Sequence, residues 1–214
     1  LITFISLLFF YLFYLSIPLL YDKNWVQKNI ENQLLRDFKI HFSLSSDISY
    51  RILPLPHYLV KDSKIIKKGD KIISLAEIKV LKVFISQKNF FDKEKMSLKH
   101  LEISNADFSL LGNDLKLLKN SKNNKFSKKK IEINKSHIFF KNNSGETIVI
   151  IKISKAFLSR DVENLMNLFK LEGEVFNIPF TFNIENQNNS IINKKVNFTA
   201  KSLKLNIFNE SIKN

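Results

Sequence analysis

The sequence predicts a mainly β protein, in which an N-terminal transmembrane helix and an amphipathic helix precede an antiparallel meander that curls into an apolar groove. Three observations predict this fold class. An uncharged apolar segment opens the chain, a helical stripe follows it, and a two-residue alternation of apolar and polar side chains then returns repeatedly from Ile40 onward. The strand-like segments are joined by short turns without a helix between each pair, which favours antiparallel over parallel pairing.

Residues 1–20 form the first segment and contain no charged residue. At 1.5 Å per residue, a helix of this length is about 30 Å long and can cross the hydrocarbon core of a bilayer. A cleaved signal peptide has a shorter apolar core followed by a small-x-small cleavage site, and residues 16–25, "SIPLLYDKNW", contain no such site. We therefore expect residues 1–20 to be an uncleaved transmembrane anchor.

Residues 21–38 form the second segment, and their apolar side chains recur every fourth residue. The stripe consists of Val26, Ile30, Leu34 and Phe38. This spacing places the four side chains on one face of a helix, and Asp22 or Asn24 can cap its start. We expect the stripe to pack on the β domain; a helix lying on the membrane surface is the alternative, because the anchor directly precedes it.

Residues 39–214 form the predicted β domain, which opens with thirteen residues of alternation, 40–52. The apolar set is Ile40, Phe42, Leu44, Ile48, Tyr50 and Ile52. This pattern predicts one long, half-buried strand. Pro54 and Pro56 follow it at once. Proline cannot donate to a sheet ladder, so we expect both prolines to end the strand and to hold the chain extended as it crosses to the next one.

The middle of the chain continues with strand-like segments. Residues 75–86 are rich in β-branched side chains, and residues 98–110 give two short runs broken at Asn105. Residues 119–130, "KNSKNNKFSKKK", have no apolar periodicity and predict an exposed loop. Residues 131–140 and 147–153 predict a hairpin, because Asn143, Ser144 and Gly145 between them favour a turn.

The last third of the chain mixes two predicted periods. Asp161 and Gly173 bound a short predicted helix whose apolar positions are Val162, Leu165, Met166 and Phe169. A strand is then predicted over residues 175–185, with Phe176, Ile178, Phe180, Phe182 and Ile184 on one face. Two further strand-like runs follow, formed by Val196, Phe198 and Ala200 and by Leu203, Leu205 and Ile207.

The charge balance and the residue types present argue against several functions. The net charge is +14, but the lysines are spread along the chain, so we expect no nucleic-acid partner. Cysteine is absent, which excludes a thiolate metal site and a cysteine nucleophile. Four glycines could hardly build a phosphate-binding loop, and the four histidines are isolated and expected at surfaces or edges. We expect no enzyme activity, no cofactor and no metal.

The strongly apolar face of the predicted meander needs a covering layer. A second sheet or a helix would make it an ordinary core, whereas a curled sheet would make it a groove for acyl chains. Phenylalanine, at 20 of 214 residues, is bulky and purely apolar and suits such a lining. The groove candidates are Phe42, Leu44, Ile48, Tyr50, Phe176, Ile178, Phe180, Phe182, Ile184 and Phe198.

The order of features in residues 1–111 resembles the N-terminal region of the AsmA family of Gram-negative envelope proteins. An anchor and a helix precede a strand, and four short motifs follow: "LPLP" at 53–56, "VKD" at 60–62, "AEIKV" at 76–80 and "LEISNADF" at 101–108. Pro54, Pro56 and Asp62 are the motif residues to which the resemblance gives a structural role. The remainder of the chain is similar to the family only in its succession of strand-like segments.

This resemblance implies a bridge-like lipid-transfer fold made of repeated β-strands. It implies a single-pass inner-membrane protein whose bulk lies in the periplasm and which binds or transfers phospholipid, contributing to outer-membrane assembly and homeostasis. The implied partners are phospholipid acyl chains, the inner membrane and other envelope proteins. Ten strands at about 4.8 Å spacing make a groove of only about 50 Å, so bridging an envelope would need partners or further strands.

Two other functions stay open at this stage. An envelope scaffold or assembly factor would bind proteins by β-strand addition at an exposed edge, and it would have a filled core. A basic binder of nucleic acid or of an anionic surface would gather its lysines on one face near aromatic side chains, and scattered lysines would argue against it.

Overall fold

The computed structural model describes residues 2–67, 73–88, 90–111, 127–161, 166–187 and 192–212. Helix α1 spans Ile2–Ser16 and continues into a 3₁₀ turn at Ile17–Leu20, and helix α2 spans Lys23–Phe38. Eleven strands follow: β1 His41–Ser43, β2 Ile48–Arg51, β3 His57–Lys67, β4 Ile73–Ile85, β5 Leu98–Leu111, β6 Lys130–Lys141, β7 Thr147–Asp161, β8 Met166–Val175, β9 Ile178–Gln187, β10 Ile192–Ala200 and β11 Leu205–Ile212. The fold is mainly β, as the sequence predicts.

All eleven strands belong to one open, curled sheet. Its order is β1-β3-β4-β5-β6-β7-β8-β9-β10-β11, and β2 also pairs with β3. Neighbouring strands are antiparallel except β5 and β6, which are parallel with His100 opposite Lys130. The predicted meander is therefore interrupted once. Residues 112–126, which include most of the predicted loop 119–130, lie outside the described residues, and Lys130 is the first residue of β6. A parallel pair needs a connection of a dozen or more residues, and the sequence between the two strands has that length.

The long strand predicted over residues 40–52 is instead two short strands, β1 and β2. The interruption falls at Leu44, whose backbone is bonded by helix α2. Its N–H donates to Glu31 Oε1 at 2.8 Å, and its carbonyl oxygen accepts from Gln27 Nε2 at 2.8 Å. These side chains take the place of ladder partners, so the sequence alternation continues while the strand does not.

The proline segment at residues 52–56 is a tight reversal. Arg51 pairs with His57 across it, and the Leu53–Pro54 peptide bond is cis. Both prolines lie between strands, as predicted, but the chain turns back on itself rather than crossing extended. The Pro56 carbonyl accepts from the N–H of Ile85 at 3.1 Å, which joins the reversal to the end of β4.

Strand β5 runs without a break through Asn105, so the predicted interruption there is wrong. Asn105 adopts a left-handed backbone conformation, φ 54°, inside the strand, and so do Asp62 in β3 (φ 50°) and Lys135 in β6 (φ 49°). We call these three positions the crease. Asparagine and aspartate tolerate this conformation better than other non-glycine residues, which explains their presence at two of the three positions.

The crease shifts the inward-facing side chains by one position. In each of the three strands a small, fully buried residue directly follows the left-handed one: Ser63, Ala106 and Ser136. The ladder between β5 and β6 is interrupted here, and the Ser136 hydroxyl fills the gap. It accepts from the Ala106 N–H at 3.0 Å and donates to the Asn134 carbonyl at 2.8 Å. Buried backbone groups at the crease are thereby satisfied.

The short helix predicted between Asp161 and Gly173 is wrong for its described part, which is strand β8. Residues 162–165 lie outside the described residues. Strand β8 pairs along its whole length with β7 and with β9. Its sequence also fits a two-residue period through Phe169, Leu171 and Gly173, and two complete hydrogen-bond ladders outweigh the weak helical spacing.

The predicted β6–β7 hairpin is confirmed. Lys141 pairs with Thr147, and Gly145 adopts φ 88° in the turn between them. Strand β8 ends at Val175, and strand β9 begins at Ile178. The strand predicted over residues 175–185 therefore starts three residues later than expected. Phe176 and Asn177 both have positive φ, 49° and 61°, which is the geometry of a two-residue hairpin turn.

Candidate apolar binding face

Helix α2 covers one part of the sheet. Val26, Ile30 and Leu34 are at most 2% exposed and pack with side chains from β1 to β5. Asp22 caps the helix by accepting from the Trp25 N–H at 2.8 Å. We call this layer, formed by α2 and β1–β5, the helix-covered core. A helix fills it in the manner of an ordinary protein interior.

Gln33 fixes α2 to the sheet by two hydrogen bonds. Its Nε2 donates to the Met96 carbonyl at 2.9 Å, and its Oε1 accepts from the Leu98 N–H at 2.9 Å. All three residues are buried. The Gln33 amide therefore supplies the two hydrogen bonds that a neighbouring strand would otherwise supply to Met96 and Leu98.

Four of the predicted groove residues lie in the helix-covered core. Phe42, Leu44 and Ile48 are 4–6% exposed. Tyr50 is half-buried, and its hydroxyl donates to the Leu15 carbonyl of helix α1 at 2.6 Å. These side chains contact helices, so they line no open trough.

The same apolar face continues past β5 without a helix. A second cluster contains Ile153, Ala156, Leu171, Phe180 and Ala200, and the described residues contribute no helical side chain to it. Partly buried apolar residues surround it: Phe108, Ile133, Ile138, Ile151, Phe169, Val175, Ile178, Phe182 and Phe198. We call this surface, on strands β6–β11, the open face.

Five predicted groove residues lie on or beside the open face: Ile178, Phe180, Phe182, Ile184 and Phe198. The strand register makes rows of apolar side chains across the sheet. One row runs from Leu171 through Phe182 and Phe198 to Ile207. Phe180 stacks on Phe198 with ring centroids 5.5 Å apart, next to Gly173. A side chain at Gly173 would meet the Lys152 carbonyl at 2.5 Å, so glycine lets β7 and β8 approach there.

Phe176 does not share this face, contrary to the prediction. It occupies the turn between β8 and β9 and is 74% exposed. The two turn residues change the direction in which the side chains point, so the alternation read through residues 175–185 starts only at Ile178. Sequence reasoning also missed Phe169 and Leu171, because their segment was assigned to a helix.

The opposite face of the sheet is polar and carries pairs of opposite charge across neighbouring strands. The pairs include Lys64–Glu77, Lys79–Asp62, Lys82–Glu102, Lys152–Glu174 and Lys195–Glu210, with N–O distances of 2.8–3.3 Å. Exposed pairs add little stability, but their distribution from β3 to β11 marks this face as the solvated one. Asp62, the third family-motif residue, thus combines a crease position with a surface ion pair.

Strand β11 forms one edge of the sheet and pairs only with β10 among the described strands. Its residues are exposed, including Ile207 at 53% and Phe208 at 59%. Ile207 is opposite Phe198 and faces the open side, whereas Phe208 is opposite Asn197 and faces the polar side. Ile207 and Phe208 are thus adjacent residues of β11 that lie on opposite faces of the sheet and have similar exposed fractions.

The histidines make separate local contacts. His57 is buried, contrary to expectation, and its Nδ1 lies 2.7 Å from the Leu55 carbonyl. His100 stacks on Phe84 with ring centroids 4.0 Å apart. Burial is the main cause that lowers the pKa of His100, and the positive charge of Lys130 lowers it further. His137 Nδ1 lies 3.0 Å from Asp107 Oδ1 on the polar side. Within the described ranges, no three His, Asp or Glu side chains are grouped so that they could hold a metal.

Comparison with known proteins adds no relative. No protein-family model matches the chain, and no curated protein sequence is significantly similar to it. The fold therefore defines the class of protein at a coarse level. It is a β-rich chain with one N-terminal helix, Ile2–Leu20, that is long and apolar enough to span a membrane, and with an apolar sheet face that the described helices cover only in part.

Proposed function

We propose that this chain is a single-pass inner-membrane protein with its bulk in the periplasm, and that its open face binds or transfers phospholipid acyl chains. The observation that carries this proposal is the open face itself. Strands β6–β11 present apolar side chains in register. Ile131 and Ile133 of β6 also pack against the helix-covered core, and the described helices contribute no side chain to the cluster beyond them. The central residues of the cluster are 1–8% exposed, and the partly buried apolar residues around them leave a surface whose chemistry acyl chains match.

The dimensions of the open face suit a lipid. From β6 to β11 there are five strand spacings of about 4.8 Å, which gives about 24 Å. Half of a bilayer's hydrocarbon core is about 15 Å thick, so the acyl chains of one phospholipid fit along this face. Most side chains there are apolar, so the face would accept many acyl chains; Asn167, which lies in line with Phe169 and Leu171 on β8, is a buried polar exception.

The resemblance to the AsmA family supports the envelope setting of the proposal. The resemblance rests on the apolar first segment, the order of the motifs in residues 53–108 and the repeated strands of this chain. In this setting, lipid held on the open face would contribute to outer-membrane assembly and homeostasis. The proposal includes no catalytic step and no cofactor.

Photolabelling tests this function with a matched pair of variants. The full chain is reconstituted in vesicles containing a phospholipid with a photoactivatable acyl chain, and adducts are mapped by mass spectrometry. Ile207→Asp places a charge on the open face, and Phe208→Asp places the same charge on the polar face at similar exposure. We expect adducts on β8–β10 to fall several-fold in Ile207→Asp and in Phe182→Asp but not in Phe208→Asp.

The anchor provides an internal standard in that experiment, because α1 should be labelled equally in all variants. Equal adduct yields on β8–β10 in Ile207→Asp and Phe208→Asp would refute the lipid-binding proposal. Circular dichroism of each variant separates loss of binding from loss of fold.

Strand addition at β11 is the second candidate function, favoured by the exposed edge. A photoreactive amino acid at Glu210 tests it in cells. A defined protein adduct at this position, lost when the edge backbone is blocked by Asn209→Pro, supports an envelope scaffold or assembly factor. Lipid adducts on the open face without a protein adduct at Glu210 count against it.

A further inference from the structure

The end of helix α1 packs against the loop between β4 and β5, whose described residues are 86–88 and 90–97 and which we call loop 86–97. The Tyr14 hydroxyl donates to the Gln87 carbonyl at 2.6 Å and accepts from the Phe90 N–H at 3.2 Å. The Tyr14 ring lies 5.3 Å from the Phe90 ring and 5.5 Å from the Phe91 ring, centroid to centroid. Tyr14 lies in the last turn of α1, six residues before the end of the apolar segment Ile2–Leu20, so the loop contacts more than the end of that segment.

The proline reversal at residues 52–56 lies at the same end of the sheet. Pro56 is bonded to Ile85, the last residue before loop 86–97. On either side of the reversal, Tyr50 donates to the Leu15 carbonyl and Tyr58 donates to the Pro18 carbonyl at 3.1 Å. Both loops therefore surround the region where the anchor joins the sheet.

The level of these contacts follows from helix geometry. From Tyr14 to Leu20 the chain rises by about 10 Å, since α-helix contributes about 1.5 Å and 3₁₀ helix about 2 Å per residue. The headgroup region on each side of a bilayer is about 5–8 Å thick. With Leu20 at the outer edge of this region, Tyr14 lies about 10 Å deeper, so a loop packed against Tyr14 lies among the headgroups and reaches the edge of the acyl chains.

The two loops expose side chains suited to that position. Leu53 is 78% exposed, Leu55 is 43% exposed and Phe91 is 79% exposed. On the same loop as Phe91, Lys93 lies with its Nζ 5.6 Å from the Trp25 ring centroid. Lys95 is exposed there and pairs with Asp92 at 2.8 Å, and Glu94 is exposed between the two lysines. Aromatic and leucine side chains next to lysines are typical of segments that lie in a lipid interface.

We propose that loops 52–56 and 86–97 insert into the bilayer surface beside the anchor, through Leu53, Leu55 and Phe91. This inference rests on the proposed membrane anchoring but not on lipid binding by the open face. The occupant is the membrane that the anchor spans, because the loops are continuous with the anchor's own contacts. Two insertions in addition to the helix fix the tilt of the sheet relative to the bilayer.

The chain contains no cysteine, so single cysteines can carry an environment-sensitive fluorophore without further changes. We choose Phe91→Cys and Leu53→Cys as test sites, Phe9→Cys in α1 as the membrane reference and Phe208→Cys on β11 as the aqueous reference. All four side chains are more than half exposed, so none of the substitutions removes core packing. The full chain is reconstituted in phosphatidylethanolamine–phosphatidylglycerol vesicles containing lipids with a nitroxide near the headgroup or deep in the acyl chain.

We expect blue-shifted emission at residues 91 and 53, with quenching by the shallow nitroxide several-fold greater than at residue 208, and deep quenching at residue 9. Quenching at 91 and 53 no greater than at 208, with residue 9 quenched, would overturn the inference. Absence of quenching at residue 9 would overturn both the anchoring and the inference. Loss of open-face photolabelling alongside strong quenching at 91 and 53 would refute only the lipid-binding proposal.

Discussion

Gln33 offers the sharpest test of how helix α2 is held on the sheet. It is 6% exposed and bonds the Met96 carbonyl and the Leu98 N–H at 2.9 Å each. Gln33→Met keeps a similar volume and a good helix former but removes both bonds. Because Met96 and Leu98 are also buried, their backbone groups would lose their partners without access to water.

The expected cost follows from these two orphaned groups. Each buried, unsatisfied backbone group costs about 1–3 kcal/mol, and the apolar methionine recovers part of the loss, so we expect about 2–5 kcal/mol. For a chain of this size that corresponds to a decrease in Tm of about 5–15 °C. It is a large fraction of a typical free energy of unfolding, about 5–15 kcal/mol.

Denaturant titration of the full chain in detergent micelles measures this loss. Trp25 is the only tryptophan, and it lies in α2, so its fluorescence reports on that helix directly. Lys28→Met, on the exposed side of the same helix, is the matched control and should change stability by less than about 0.5 kcal/mol. A Gln33→Met loss no larger than that of Lys28→Met would refute the argument that the two hydrogen bonds fix the helix.

Three other predictions concern the sheet and its tyrosines. Ser136→Ala removes the hydroxyl that fills the ladder gap at the crease, so chemical denaturation should show a loss of about 1–3 kcal/mol, while Ser154→Ala, an exposed control, should stay near zero. Gly173→Ala should lower Tm, because the new methyl group would meet a backbone carbonyl of β7 at 2.5 Å; an unchanged Tm would show that the two strands separate freely. Burial raises the pKa of the Tyr50 and Tyr58 hydroxyls, with smaller contributions from neighbouring tyrosines. The unfolded chain therefore ionises first, and their stabilisation, complete below pH 10, should be lost as pH rises above it; Tyr58→Phe should flatten that decline.

The crease shows how a sequence motif and a backbone conformation are related. The "VKD" and "LEISNADF" motifs carried the family resemblance without a physical reason for their polar residues. The structure supplies one, because Asp62 and Asn105 are the left-handed positions at which the side-chain alternation shifts. In the sequence, Asn105 predicts an interruption of the strand-like run over residues 98–110. Pairing with β4 and β6 on either side keeps the strand continuous instead.

The local features of this protein could be predicted from the amino-acid sequence. The apolar run of α1, the four-residue stripe of α2, the alternation in most strands and the β6–β7 turn all depend on neighbouring residues, which the sequence shows directly. The tertiary structure decided the features that depend on distant partners. Helix α2 divides residues 40–52 by bonding Leu44, two ladders turn residues 166–175 into a strand, and β5 pairs in parallel with β6. The extent of the open face was decided in the same way, because only the packing of α2 shows which part of the apolar surface is covered.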